Sequence, residues 1–226
     1  MRVGTMHPPP SPHLVTDFDN TMVMADFYDL LFEHLVDPAL ICHWQEYEDG
    51  RRTHFEALDL IFRSIRTDEA GLLHVLQLVR VHERLAASVH ALQDAGWTIS
   101  VASAGCTWYI ERLLAGAGIT VDVHANPGRF EHGAGLVMEL PRDSPFFDAG
   151  TGISKAAVVR HALAHHDVVA FAGDGRPDYE AALLVPPARR FARGWLAEKL
   201  TADGIAFQRF ETWPEVADAL LTNANV

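Results

Sequence analysis

Apolar and polar positions alternate in two different ways along this chain. HLVTDF, beginning at His13, is a short continuous apolar run and predicts a buried strand. From about Met24 to Ala95 the apolar residues instead recur every three or four positions, which predicts several packed helices and almost no strand. ADFYDLLFEHLV places Phe27, Leu30, Leu31 and Leu35 on one face and stops at Asp37-Pro38. PALICHWQEYE ends at Asp49-Gly50, and RRTHFEALDLIFRSI carries Phe55, Leu58, Ile61, Phe62 and Ile65 on one face. Thr67 is the expected N-cap of the helix containing LLHVLQLV.

At Gly96 the pattern changes to alternating strand and helix. WTISVASAG and ITVDVHAN read as strands flanking a helix in CTWYIERLLAGAG, and RFEHGAGLVMEL reads as a hairpin around His132-Gly133. SKAAVVRHALAHH is then a helix, DVVAFAGD a strand, RPDYEAALLV a helix and ARRFARG a final short strand. Such alternation predicts an α/β fold: a doubly wound, mainly parallel sheet with helices on both faces. The helical segment 24–80 is read as an insertion after the first strand, between core segments 12–23 and 81–226, with residues 1–11 a flexible tail.

Composition narrows the partners. Mean hydropathy is near zero, and 49% hydrophobic residues over 226 positions suit one globule that buries its own core. A formal charge of −12 argues against a nucleic-acid partner, because phosphate backbones are bound by clustered Lys and Arg. No apolar run approaches a transmembrane length, and MRVGTMHPPPSPH lacks the apolar middle of a signal peptide, so no membrane partner and a cytoplasmic location are expected. The two cysteines, Cys42 and Cys106, are read as free thiols. A monomer or a homodimer is expected.

The candidate chemistry lies where strands are predicted to end, the place at which open α/β sheets bind ligands. Asp17 and Asp19 end the first strand, Ser103 ends TISVAS, Asp174 ends VVAFAGD, Asp178 starts the next helix and Lys155 opens the preceding one. Each aspartate alone is compatible with an ordinary turn or cap. Carboxylates converging on one pocket repel one another, and a bound cation neutralises them; hard oxygen ligands favour magnesium. An EF-hand reading of DFDNT fails, since Met22 and Tyr28 stand where Gly and Glu are required. GTGISK has the wrong spacing for a P-loop, and GDGRPD ends in Asp and falls too late for a dinucleotide turn.

DxDxT after the first strand, Ser at the end of the next, Lys opening a later helix and GDGxxD after another strand together resemble the haloacid dehalogenase (HAD) superfamily of magnesium-dependent phosphohydrolases. The long helical insert looks like the cap of the phosphoserine phosphatase-like branch. The tail FARGWLAEKLTADGIAFQRFETWPEVADAL resembles that of the methionine-salvage phosphatase group, which acts on a phosphorylated enol-ketone. The resemblance implies that Asp17 is the nucleophile and a magnesium ligand, and that Asp19 is the general acid and then base, with its backbone carbonyl on the metal. It implies that Ser103 and the Ala104 N–H bind phosphoryl oxygens, that Lys155 neutralises charge, and that Asp174 and Asp178 complete the metal site, Asp178 as ligand or as anchor of its waters.

Two departures stand out: Asn20 where many relatives have Gly, and Ala104-Gly105 where the branch often has Gly-Gly. The implied activity is a phosphatase acting on a small phosphorylated metabolite. The alternatives are a phosphoserine or other sugar or alcohol phosphate phosphatase, a phosphotransferase, or a silent binding module. Asp26 matches an acidic substrate-binding position of the branch and equally suits a helix N-terminus. Arg51, Arg52 or His54 are candidate substrate contacts, or the arginines are a solvated pair at a helix start. His165-His166 are expected to end a helix, and Cys106 is read as structural.

Overall fold

The computed structural model of the chain describes residues 11–223, so the tail expected over 1–11 lies, but for Ser11, outside the described residues. Strand β1 (Pro12–Thr16) is flanked in parallel by β2 (Thr98–Cys106) and β8 (Val168–Gly173). Outside them run β3 (Asp122–Asn126) on one side and β9 (Arg190–Ala192) then β10 (Gln208–Arg209) on the other, giving six parallel strands in the order β10-β9-β8-β1-β2-β3. From β1 the chain builds outward through β2 and β3, then returns to β8 and builds the opposite way. The order reverses at β1, and the crevice beyond the carboxyl ends of β1 and β8 is the expected ligand position.

The period of two along β1 feeds two cores. Leu14 packs on one face with α5 (Leu85–Asp94), α6 (Thr107–Gly116) and α10 (Trp213–Asn223). Val15 packs on the other with α7 (Lys155–His165), α8 (Tyr179–Leu183) and α9 (Gly194–Ala202). Both faces of a parallel strand are thereby covered, which explains its unbroken apolar run.

Between β1 and α5 lie α1 (Phe27–His34), α2 (Ile41–Glu48), α3 (His54–Arg63) and α4 (Glu69–Leu76). On α3 the predicted stripe of Phe55, Leu58, Ile61 and Phe62 is buried, and Thr53 with Glu56 forms a capping box at its start. The hairpin of β4 (Gly128–Glu131) and β5 (Gly135–Met138) packs against α3, and Asp59 of that helix accepts from the Met138 N–H at 3.1 Å.

Some local expectations need correction. The N-cap of α4 is Asp68, whose carboxylate accepts from the Gly71 N–H at 2.8 Å, and not Thr67; an aspartate one residue later offers the same acceptor with a charge that suits the helix dipole. The strand at Arg190 is not the last, because β10 follows it after α9. The two-residue ladder of β6 (Phe147–Asp148) and β7 (Gly152–Ile153) is too short to leave a period in the sequence. Cys42 and Cys106 are free, and burial pushes the Cys106 thiol up to about 12, which suits a packed side chain and not a nucleophile. Among the described residues no helix is long and apolar enough to cross a membrane.

Candidate active site

The end of β1 delivers Asp17 to the crevice. Its N–H still pairs with the Ala172 carbonyl of β8 at 2.9 Å, so the residue is held by the sheet while its carboxylate leaves it. Behind it, the indole of Trp213 on α10 donates to Thr16 Oγ1 at 3.0 Å, and the Thr16 hydroxyl donates to the Asp17 carbonyl at 2.8 Å. The chain then turns through Asn20, which sits at φ 51°, the left-handed region that Asn enters more readily than most residues. This turn sends Thr21 back toward β8, where its hydroxyl donates to Asp174 Oδ1 at 3.1 Å.

Lys155 is the first residue of α7, capped by Ser154, and is only 4% exposed. Its Nζ lies 2.7 Å from Asp17 Oδ1 and 2.7 Å from Asp178 Oδ1. A buried ammonium at a helix N-terminus is opposed by both desolvation and the dipole; the two carboxylates reverse the balance and raise its pKa above the ordinary lysine value. Asp178 is fully buried, and its second oxygen accepts from the N–H groups of Asp174 at 3.1 Å and Gly175 at 2.8 Å. Gly173 permits this fold-back, since a Cβ there would stand 2.5 Å from Asp178 Cγ.

Asp17, Asp174 and Asp178 each bring a carboxylate oxygen to within 4.8 Å of the others, a hard-oxygen set that fits a magnesium ion. Burial first, and mutual repulsion next, raise Asp174 and Asp178 to about 6 against the pull of Lys155. Asp17 is also raised to about 6, by burial and by Asp174, with Lys155 opposing. One ammonium does not offset three carboxylates, two of them buried and Asp174 partly so, and a divalent ion would.

Asp19 is set apart from this cluster. Its Oδ2 accepts from the Tyr109 hydroxyl at 2.5 Å and its Oδ1 from the Phe27 N–H at 3.3 Å, which leaves the backbone carbonyl as the group it can turn to a metal. Burial raises it to about 7, opposed by the Tyr109 hydrogen bond and assisted by Asp17. Tyr109 reaches it by lying across Gly105, where a Cβ would meet the hydroxyl at 1.9 Å. Ser103 is 2% exposed, with its Oγ accepting from the Gly105 N–H at 3.0 Å. Ser103 does not end its strand as expected, because β2 runs on through an irregularity to Cys106. Asn126, fully buried on β3, donates to the carbonyls of Ala104 at 2.8 Å and Thr151 at 3.0 Å, tying this end of β2 to the turn before β7.

The end of this crevice is one cavity of about 320 Å³, in the size range of small-ligand sites. Asp17, Asp19, Ser103, Ala104, Lys155 and Asp174 line its floor. Asp178 lies just beneath, bonded to Lys155. Asp26 lines the cavity and also caps α1, accepting from the Tyr28 N–H at 2.9 Å. His54 lines it too, with its pKa lowered to about 4 by burial and then by Lys155.

Arg51 and Arg52 are not brought to the cavity. They pair with acids of their own turn, Arg52 with Glu46 at 2.7 Å and Arg51 with Asp49 at 2.9 Å. Sequence reading missed Tyr109, Asn126, Thr21 and an aromatic wall of Tyr28, Trp44, Tyr47 and Trp195. One signal was present: Trp44 and Tyr47 stand three apart on an otherwise polar helix that fully buries none of its residues, with Trp44 only partly packed against the core.

No protein-family model matches the sequence, and no curated protein matches it either. Solved structures do. A HAD-family hydrolase from Salmonella enterica subsp. enterica serovar Typhi superposes with a TM-score of 0.65 at 16% identity, over 90% of this chain and 69% of that one. A substrate-bound phosphoserine phosphatase gives 0.64 at 14% identity over 91% of this chain and 95% of its own. A phospho-aspartyl intermediate analogue of phosphoserine phosphatase gives 0.62 at 15% identity over 90% and 94%. The chain thus carries the phosphoserine phosphatase-like fold of the HAD hydrolases.

Proposed function

We propose that this protein is a magnesium-dependent phosphatase that hydrolyses a small phosphorylated metabolite through an aspartyl phosphate on Asp17. The observation that carries the reading is the division between Asp17, clamped to buried Lys155 at 2.7 Å, and Asp19, turned instead to Tyr109. A structural neighbour caught as a phospho-aspartyl analogue supports the same chemistry.

Asp17 Oδ attacks phosphorus, the ester P–O bond breaks, and the departing alkoxide takes the proton of Asp19. Asp19 then removes a proton from water, which attacks phosphorus and breaks its bond to Asp17. A group at about 7 is poised to give and take that proton near neutrality. Ser103 and the Ala104 N–H, whose residues line the cavity, would bind the transferring phosphoryl oxygens, and Lys155 would neutralise the charge that develops there. Asp17, Asp174 and the Asp19 carbonyl would hold the magnesium. Asp178, with both oxygens engaged by Lys155 and two N–H groups, would orient them. The bound ion supplies charge neutralisation at the phosphoryl group and lets the carboxylates stay ionised.

The segment 24–80 acts as the cap over this floor. The tail that resembles the methionine-salvage group contributes Trp195 to the cavity, and one ring does not select among metabolites. The test is phosphate release from p-nitrophenyl phosphate with magnesium. Asp17→Asn is expected to lower turnover by about 10⁴-fold with an unchanged circular dichroism spectrum, and near wild-type turnover would refute Asp17 as nucleophile.

A further inference from the structure

We infer that the alcohol part of the substrate carries an alkylated ammonium group. This rests on the phosphatase reading for the other end of the molecule, because the phosphoryl group must occupy the floor at Asp17 for the alcohol to meet the opposite wall.

That wall is aromatic and acidic. The Trp44 ring lies 4.7 Å from Tyr28, 5.1 Å from Tyr47 and 5.3 Å from His54, so α1, α2 and α3 contribute one contiguous patch of rings. Trp195 of α9 lines the same cavity. Asp26 and Glu48 are the carboxylates of this wall, and neither has an ion-pair partner among the described residues. Burial, then the charges of Asp19 and Asp29, push the Asp26 pKa up, and a cation in the cavity would relieve that repulsion.

The positive groups of the lining are engaged elsewhere or neutral. Lys155 belongs to Asp17 and Asp178. Arg176 is exposed and holds its guanidinium 5.3 Å from the Trp195 ring centroid. His54 is neutral near pH 7. Among the described lining residues a substrate carboxylate would find Arg176 at the rim, whereas a cation meets ring faces and the carboxyl groups of Asp26 and Glu48, neither held in an ion pair. Alkylation favours such a cation further: a bare ammonium is strongly hydrated and costly to desolvate, while methylated nitrogen gives up little water and packs on rings.

The test compares choline with 3,3-dimethylbutan-1-ol, which has the same shape with carbon in place of the charged nitrogen, by calorimetric titration of the intact protein. Choline is expected to bind at least about tenfold tighter, the size of a desolvated cation–π contact; equal or weaker binding of choline, or none, overturns the inference. Glu48→Gln and Trp44→Leu should each shrink that ratio toward one, and a ratio unchanged in both variants places the cation elsewhere and also overturns it. Kinetically, choline phosphate should exceed 3,3-dimethylbutyl phosphate and phenyl phosphate in kcat/KM, and a preference for phenyl phosphate would show a neutral ring site instead. The two readings fail separately. Choline selectivity without phosphate release from any ester removes the phosphatase and keeps the cation site, while phosphate release without choline selectivity does the reverse.

Discussion

The floor and the wall of the cavity are built on opposite principles. The floor hangs from strand ends: Asp17 is held by β8 at its N–H and by the Trp213–Thr16 relay at its carbonyl, and each charged group has a named partner. The wall is carried by short helices, one of which buries none of its residues, and its polar atoms are poorly partnered; the Tyr28 hydroxyl and His54 Nδ1 are buried without a hydrogen bond. A phosphoryl group is the same in every ester, so its site gains from a rigid frame whose charged groups are paired, although Asn126 Oδ1 behind it is buried without a hydrogen bond. The alcohol differs between substrates, and rings on helices outside the sheet can be changed without disturbing the chemistry.

The sharpest way to break this contrast is to remove the cation that holds the floor together. Lys155→Met leaves Asp17 and Asp178 buried without a counter-charge and is expected to cost about 3–5 kcal/mol of stability at pH 8 together with activity. Chemical denaturation across pH checks this, because the loss should shrink as pH falls and the carboxylates protonate. A loss that is the same at pH 5 and pH 8 would point to packing instead of charge.

Removing a carboxylate should act in the opposite direction. The pKa of Asp174 is raised to about 6 from 3.8, so between those values the folded state holds more protons than the unfolded one and stability falls as pH rises. In chelated protein Asp174→Asn should therefore gain about 1–3 kcal/mol at pH 8, and the gain should shrink as pH falls through about 6 and vanish only as it nears 3.8. Magnesium should raise the melting temperature of the wild type and not of the variant. A variant less stable than wild type under chelation would show that repulsion is not the dominant cost in this cluster.

Between floor and wall stands Tyr109. Gly105→Ala puts a methyl where the Tyr109 hydroxyl lies, displacing the ring from Asp19. The expected cost is about 1–3 kcal/mol of stability and about a hundredfold in kcat, since a general acid contributes on the order of 10²–10⁴-fold. Tyr109→Phe, which keeps the ring and deletes the hydroxyl, should lower kcat with little loss of stability, and unchanged kcat would remove Tyr109 from the mechanism. The smallest effect is expected at Arg51 and Arg52, whose partners are Asp49 and Glu46 on the surface. Alanine at each should change stability by less than about 1 kcal/mol and kcat/KM by less than twofold, and a tenfold loss would mean that segment 24–80 closes further and carries an arginine into the cavity.

The strands, their parallel pairing and the residues at their ends were legible because a strand covered on both faces leaves an unbroken apolar run, and the polar residues that stop such runs stand out. Asp17 and Asp174 are visible for that reason, whereas β2 runs on past Ser103 to Cys106, and the buried stripe of α3 is visible because its period is 3.6. Other features left no such trace. The Asp68 cap and the strand β10 rest on one or two residues, too few to carry a period.

What the chain determined by itself is therefore the α/β core, the position of its carboxylates and the class of chemistry they suit, since local periodicity and charge placement are properties of neighbours in sequence. What only tertiary structure decided is how those groups are used: Lys155 bridging Asp17 and Asp178, Tyr109 claiming Asp19, and Trp44, Tyr47 and Trp195 meeting across the cavity while Arg51 and Arg52 turn away. Lys155, Tyr109 and Trp195 each lie tens of residues from the groups they join, and only packing of the helices onto the sheet brings them to one cavity.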